Sequence, residues 1–221
     1  MSLSRLILLL PFASSCFGFQ IFLTPANVIG GSGSYTGTYN TGPFNATQVL
    51  DQQVGPVNDV FGTNYWINPD NGPANAYIVI DLGAAFRITS MDLFNTHNAN
   101  FNDRGTGNFS FEASNSVTNL GATGFDLSGS ITTILSGTLA AGNTNPDPAQ
   151  TFAVSNTNTF RYIKFEPHSV ATTGTPCCGS NVYGLTEVRV FSDVPEPGSM
   201  ALLGSGLIAG LATLVRRRRR R

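Results

Sequence analysis

Apolar and polar residues alternate with a period of two in seven short runs through the middle of the chain. They are NAYIVIDLG (75–83), FRITSMDLF (86–94), NFSFEAS (108–114), SITTILSGTL (130–139), TFAVS (151–155), TFRYIKFEP (159–167) and GLTEVRVF (184–191). Such alternation marks half-buried strands, since successive side chains point to opposite faces. In FRYIKF, strict alternation puts Arg161, Ile163 and Phe165 on one face and Phe160, Tyr162 and Lys164 on the other. Turn residues separate the runs, as in Asn71-Gly72-Pro73, Gly105-Thr106-Gly107 and Asn145-Pro146-Asp147-Pro148. Many short strands with Gly-rich turns predict an all-β antiparallel sandwich. The Gly/Ser/Tyr stretch at 30–43 reads as either an edge strand or a loose arm.

Both ends break this pattern. Residues 1–18 place one basic residue, Arg5, before an apolar run and a cluster of small residues, the layout of a secretory signal peptide. Cys16 follows Ala-Ser-Ser, a poor lipoprotein box. At the other end, Gly198 to Val215 carries no charge and is followed by Arg216 to Arg221. As a helix, 18 residues span about 27 Å, close to a hydrocarbon core of about 30 Å. Pro195 and Pro197 set the start of that helix, and the arginines hold its end on the cytoplasmic side. The expected organisation is therefore a signal peptide at 1–18 and a strand or arm at 19–43. A β-sandwich at 44–193 and a tail at 194–221, with a transmembrane helix at 198–215, complete it.

Removing the ends changes the charge. Residues 20–193 hold five basic and twelve acidic residues, a net charge of −7. Nucleic acid is excluded as a partner on this reading, because phosphate recognition needs basic patches. The chain has two histidines, His97 and His168, in no HExxH pattern and near no G-x-S-x-G. No catalytic residues are assigned, and the protein is not expected to be an enzyme.

Val194-Pro195-Glu196-Pro197, an apolar segment and a terminal arginine cluster together resemble the PEP-CTERM sorting signal of bacteria. The resemblance makes Pro195, Glu196 and Pro197 the motif itself. It implies a membrane-embedded exosortase as partner and delivery to the cell envelope, cell surface or exterior, often with exopolysaccharide. Before processing, the helix anchors the chain in the inner membrane.

The order of pieces in the body carries a second resemblance. ATQVLD (46–51), Trp66, Asp81-Leu82-Gly83, Arg104 before NFSFEAS, Arg161-Tyr162-Ile163 and a final GLTEVRVF resemble the discoidin, or coagulation-factor type C, domains of the galactose-binding-like superfamily. The first loop departs from the family pattern, reading Asp51-Gln52-Gln53. The resemblance implies an eight-stranded jelly-roll whose loops at one end bind sugars, lipids or proteins, frequently with a structural calcium. The positions it implies for that ion are Asp51, Asn58 or Asp59, Thr63 and Glu187, calcium being a cation that collects six to eight oxygens. Asp51 as a turn cap and Glu187 as a solvent-facing strand residue are the alternatives.

For the ligand, the loop at 95–107 offers Phe101 as a flat face and His97, Asn102 and Arg104 as hydrogen-bonding groups, the mixture that sugar recognition uses. The alternative pairs Arg104 with Asp103 or Asp92 and leaves His97 merely exposed. Cys177 and Cys178 are adjacent, and in an exported chain they read as a loop-stapling vicinal disulfide. Two functions follow. One is a surface or matrix protein that holds extracellular polysaccharide; the other is a structural envelope protein making protein contacts without a sugar site.

Overall fold

The computed structural model describes residues 18–35, 44–54, 65–69, 75–96, 103–142, 144, 147–172 and 182–193. Strands in the first half are β1 (Phe19–Ile21), β2 (Val28–Gly31), β3 (Trp66–Ile67), β4 (Ile78–Phe86), β5 (Ile88–Asn95), β6 (Gly105–Thr106) and β7 (Asn108–Ser114). The second half supplies β8 (Ser116–Asn119), β9 (Phe125–Ser128), β10 (Thr132–Thr138), β11 (Gln150–Ala153), β12 (Phe160–Pro167), β13 (Val170–Ala171) and β14 (Gly184–Ser192). Among the described residues the helical turns are short 3-10 pieces at Pro25–Asn27, Ala46–Leu50 and Gly121–Thr123.

The strands form two layers. One sheet runs β11-β5-β14-β6-β13, with β1 and β3 also paired to β14, and the other runs β10-β7-β12-β4-β2. Their inner faces share one core containing Met91, Leu93, Val188 and Val190 from the first sheet and Ile80, Phe109, Ile163 and Phe165 from the second. Phe109 and Phe152 meet edge to face across the layers with ring centroids 5.0 Å apart. Residues Phe19–Asp193 form one compact unit that contains this whole core, so the domain is self-contained. The all-β antiparallel sandwich expected from the alternation is therefore the fold observed.

Residues 19–31, outside the expected sandwich boundary, supply two of its strands. Phe19 pairs Ser192 on β14, and β2 adds to the edge at β4. The paired strands β8 and β9 also lay outside the alternating runs; Gly124, with φ of 76°, turns between them and bridges Gly30. Gly30 has no room for a side chain, because a Cβ there would meet the Phe125 backbone oxygen.

One expected face is reversed. Ile163 and Phe165 are buried as expected, but Phe160 is buried with them and Arg161 is exposed. The β12–β4 register slips between Phe160 and Tyr162, which turns Arg161 outward. There its Nε and Nη2 each donate to Asp81 at 2.9 Å. The two best local matches to the discoidin pattern, Asp81-Leu82-Gly83 and Arg161-Tyr162-Ile163, thus meet in one bidentate ion pair across β4 and β12. Hydrogen bonding from Arg161 holds the Asp81 carboxyl below its ordinary range.

The sandwich has two distinct poles. At one, β5 begins at Ile88 and β14 ends at Ser192, and Arg87 pairs with Asp193 at 2.6 Å. The chain leaves the domain there. At the other, β5 ends at Asn95, opposite Leu185. Eight residues of β5 separate the poles by about 24 Å.

Candidate functional site

Several strands end together at the second pole. Gly184, the first residue of β14, pairs both Ile67 of β3 and Gly105 of β6, and Gly105 pairs Ala171 of β13. The described strand ends that border residues 55–64, 97–102 and 173–181 in sequence therefore meet at this pole. His97, Phe101, Asn102, Asn58, Asp59, Thr63, Cys177 and Cys178 fall within those segments and lie outside the described residues. What the structure does place is their footing.

Asn95 is the centre of that footing and was not singled out by the sequence. It is 1% exposed. Its Nδ2 donates to the carbonyls of Thr106 and Ala140, each at 2.9 Å, and its Oδ1 accepts from the backbone N–H of Thr106 at 2.8 Å and Thr96 at 3.0 Å. The backbone carbonyl of Asn95 accepts from Thr186 Oγ1. One amide thus ties β5, β6 and the segment after β10 together. Gly105 lies against the Asn95 amide, where a Cβ would come within 2.9 Å of Oδ1, so a side chain at 105 would displace it.

Arg104 stands at the base of the same pole. Its residue exposure is 8%, and its Nε donates to Asp103 Oδ1 at 2.8 Å. The pairing with Asp103, one of the alternatives read from sequence, is present and fixes the guanidinium's orientation. The described aromatics Phe44, Tyr65 and Trp66 pack into the interior at this end. Phe44 and Tyr65 stack edge to face at 5.0 Å, fully buried with Ile67 and Val182. Trp66, equally buried, donates its indole N–H to the Gly33 carbonyl.

A second arrangement joins Asp51 to Glu187. The 3-10 helix Ala46–Leu50 packs on β14 and covers Glu187, whose exposure is 0%. Glu187 Oε2 accepts from the Gln52 backbone N–H at 3.2 Å, while Oε1 has no hydrogen-bonding partner. Arg189 Nε is 4.0 Å from Oε1, and its guanidinium lies over the Phe94 ring. Burial first, and then the Asp51 charge, pushes the Glu187 carboxyl up to about 8; burial raises Asp51 as well. Gln52, between them, has a φ of 63°. An open oxygen on a buried carboxylate beside a second carboxylate fits a hard cation, which would favour the ionised form of both. Among the described residues no group of three or more His, Cys, Asp or Glu side chains converges, so further oxygens would have to come from backbone or from the segment at 55–64.

The outer face of the second sheet carries charge of a different kind. Lys164 Nζ is 2.9 Å from Glu166 and 3.1 Å from Asp126, and sits over the Tyr77 ring. The Asp126 pair joins β9 to β12, and the Glu166 pair lies within β12 itself. Among the described residues no helix is long and apolar enough to cross a membrane; the span expected at 198–215, like Pro195, Glu196 and Pro197, lies outside them.

Comparisons with known proteins agree with this architecture. No curated protein sequence matches the chain. Among solved structures, a family 32 carbohydrate-binding module from Clostridium perfringens NanJ, in complex with galactose, superposes with a TM-score of 0.51 at 13% identity. It covers 80% of this chain and 100% of that one. A third family 32 module from a family 31 glycoside hydrolase of the same organism gives a TM-score of 0.51 at 13% identity, covering 78% of this chain and 94% of that one. A module from Clostridium perfringens GH89, in complex with GalNAc-β-1,3-galactose, gives 0.50 at 12%, covering 79% and 100%. Residues 193–220 match the PEP-CTERM protein-sorting motif. The chain thus joins a β-sandwich with the fold of those modules to a stretch, residues 193–220, that matches the PEP-CTERM protein-sorting motif.

Proposed function

We propose that this is an exported, non-catalytic protein that holds extracellular polysaccharide through the loop pole of its sandwich, after an exosortase has processed its tail. The observation that carries the reading is the separation of the poles. The described chain ends at Asp193 next to the sorting motif, while the strand ends at Asn95, Gly105, Ala171, Gly184 and Ile67, which border the candidate loops in sequence, meet at the opposite end. A tether at one end leaves the other free to meet a ligand. The C. perfringens modules, two of them solved with galactose-containing ligands, support carbohydrate as the ligand class.

In this reading Phe101 stacks on a sugar face, His97 and Asn102 bond its hydroxyls, and Arg104, held by Asp103, presents a fixed edge. Cys177-Cys178 stiffens the neighbouring loop. Calcium at Asp51 and Glu187, with Asn58 or Asp59 and Thr63, holds the first loop against β14.

Residues 19–193 on a glycan array, with calcium and with chelator, test the reading: retention of specific glycans supports it. Failure to retain any glycan or the producer's own exopolysaccharide would favour the structural, protein-contact role. Phe101→Ala is expected to weaken binding to that polysaccharide about tenfold, or 1.4 kcal/mol, with melting temperature unchanged. Equal binding by the variant moves the site elsewhere. For the tail, neutral residues in place of Arg216–Arg221 are expected to leave unprocessed precursor in the membrane fraction, because helix orientation depends on that charge. Normal processing in a pulse-chase blot would overturn the sorting role.

A further inference from the structure

We infer that the pole from which the chain exits carries a second carbohydrate subsite, in a cleft on the edge of the second sheet. The cleft, about 520 Å³, opens where β7 meets β8, β9 meets β10 and β11 meets β12. That volume lies within the range of about 300–1,000 Å³ usual for ligand sites. Seven of its eight lining residues are Ser, Thr or Asn, and the eighth is Phe160, only 6% exposed.

Two of the polar residues build the walls. Asn115 Nδ2 donates to the Thr159 carbonyl and its Oδ1 accepts from the Arg161 N–H, each at 2.9 Å, so both ends of the amide strap the β7–β8 corner to the start of β12. Ser114 Oγ donates to the Ser128 carbonyl at 2.6 Å and accepts from the Ser116 N–H at 3.2 Å. The walls are therefore fixed before any ligand arrives.

The remaining groups are open. Ser116, Ser130, Thr132 and Thr159 hydroxyls and the Asn158 amide line the cleft with no hydrogen-bonding partner among the described residues. Each can donate and accept. None is charged, and the nearby Arg161 guanidinium is taken up by Asp81. A phosphate or carboxylate ligand finds no cation here, and an apolar ligand would strand five polar groups. A neutral ligand dense in hydroxyls matches the set, which is a glycan. The cleft stands independently of the loop pole; with both occupied, one domain would hold two polysaccharide segments about 24 Å apart.

The test uses isotope-labelled residues 19–193, titrated with galactose, N-acetylgalactosamine, galacturonic acid and oligosaccharides from hydrolysed exopolysaccharide. Saturable shifts of the Ser114, Asn115, Ser116, Ser130 and Thr159 amides are expected with neutral sugars, weaker with galacturonic acid. Thr132→Val with Thr159→Val removes two hydroxyls at constant volume and is expected to weaken those shifts at least about fivefold, with melting unchanged. Phe101→Ala is expected to leave them intact. No response of the cleft amides to any probe, or a response the double variant leaves unchanged, overturns the inference. Loss of polysaccharide binding in Phe101→Ala would then still uphold the loop pole.

Discussion

Asn95→Ala is expected to destabilise the domain by about 3 kcal/mol or more, a large share of a typical folding free energy. The side chain is 1% exposed and makes four hydrogen bonds, all to backbone groups. Alanine leaves the Thr106 N–H and carbonyl and the Ala140 carbonyl without that partner, and Thr106 is itself fully buried. Each buried group left unsatisfied costs about 1–3 kcal/mol, and the space vacated adds a cavity. Asn95→Asp should be worse near neutral pH, since it replaces a donor facing two carbonyls with negative charge. That variant should recover partly in acid, where the carboxyl can donate. Urea unfolding of residues 19–193 measures both. A loss below about 1 kcal/mol for Asn95→Ala would mean that water or loop movement replaces the amide. Because β5, β6 and the segment after β10 lose their common tie, glycan retention should fall with stability here, whereas Phe101→Ala should separate the two.

Asn95 shows where the sequence stops being informative. It stands in a run with Asn98, Asn100 and Asn102, and nothing local marks it as the buried one. Its role comes from Gly105 and Ala140, which reach it only in the folded sheet. The central strands were legible because their alternation reports directly on a two-layer core. Near-matches such as 159–167 for Phe160–Pro167 follow from that. β1 and β2, at three and four residues, carry too little pattern to stand out and exist because β14 and β4 offer edges. Arg161 was assigned to the wrong face because a register slip is a property of two strands, not one. Glu187 in GLTEVRVF likewise alternates like a solvent-facing residue. Its burial depends on the 3-10 helix Ala46–Leu50, distant in sequence, lying over β14.

That buried carboxylate leads to the other large expected effect. In chelator, the domain should lose stability as pH rises from about 5 to above 8, and calcium should restore it. Glu187 has an ordinary value of 4.5 and a folded value of about 8, raised by burial and then by Asp51. A folded value above the unfolded one means the fold favours the protonated form. Its contribution is present below 4.5 and is lost as pH rises through about 8. Calcium reverses this by favouring the ionised carboxylates of Glu187 and Asp51, so its benefit should be larger at pH 8 than at pH 5. At a hundredfold excess over Kd it contributes about 2.7 kcal/mol, which for a domain of this size raises Tm by about 5–11 °C. Glu187→Gln should remove both the pH slope and the calcium response, and in chelator at pH 8 it should melt above the wild-type domain. Terbium luminescence gives a second readout, present in the wild type and absent in the variant. Identical melting curves in chelator and in calcium at pH 8, with no terbium signal, would show that Glu187 is a buried acid paired with Arg189 and holds no cation.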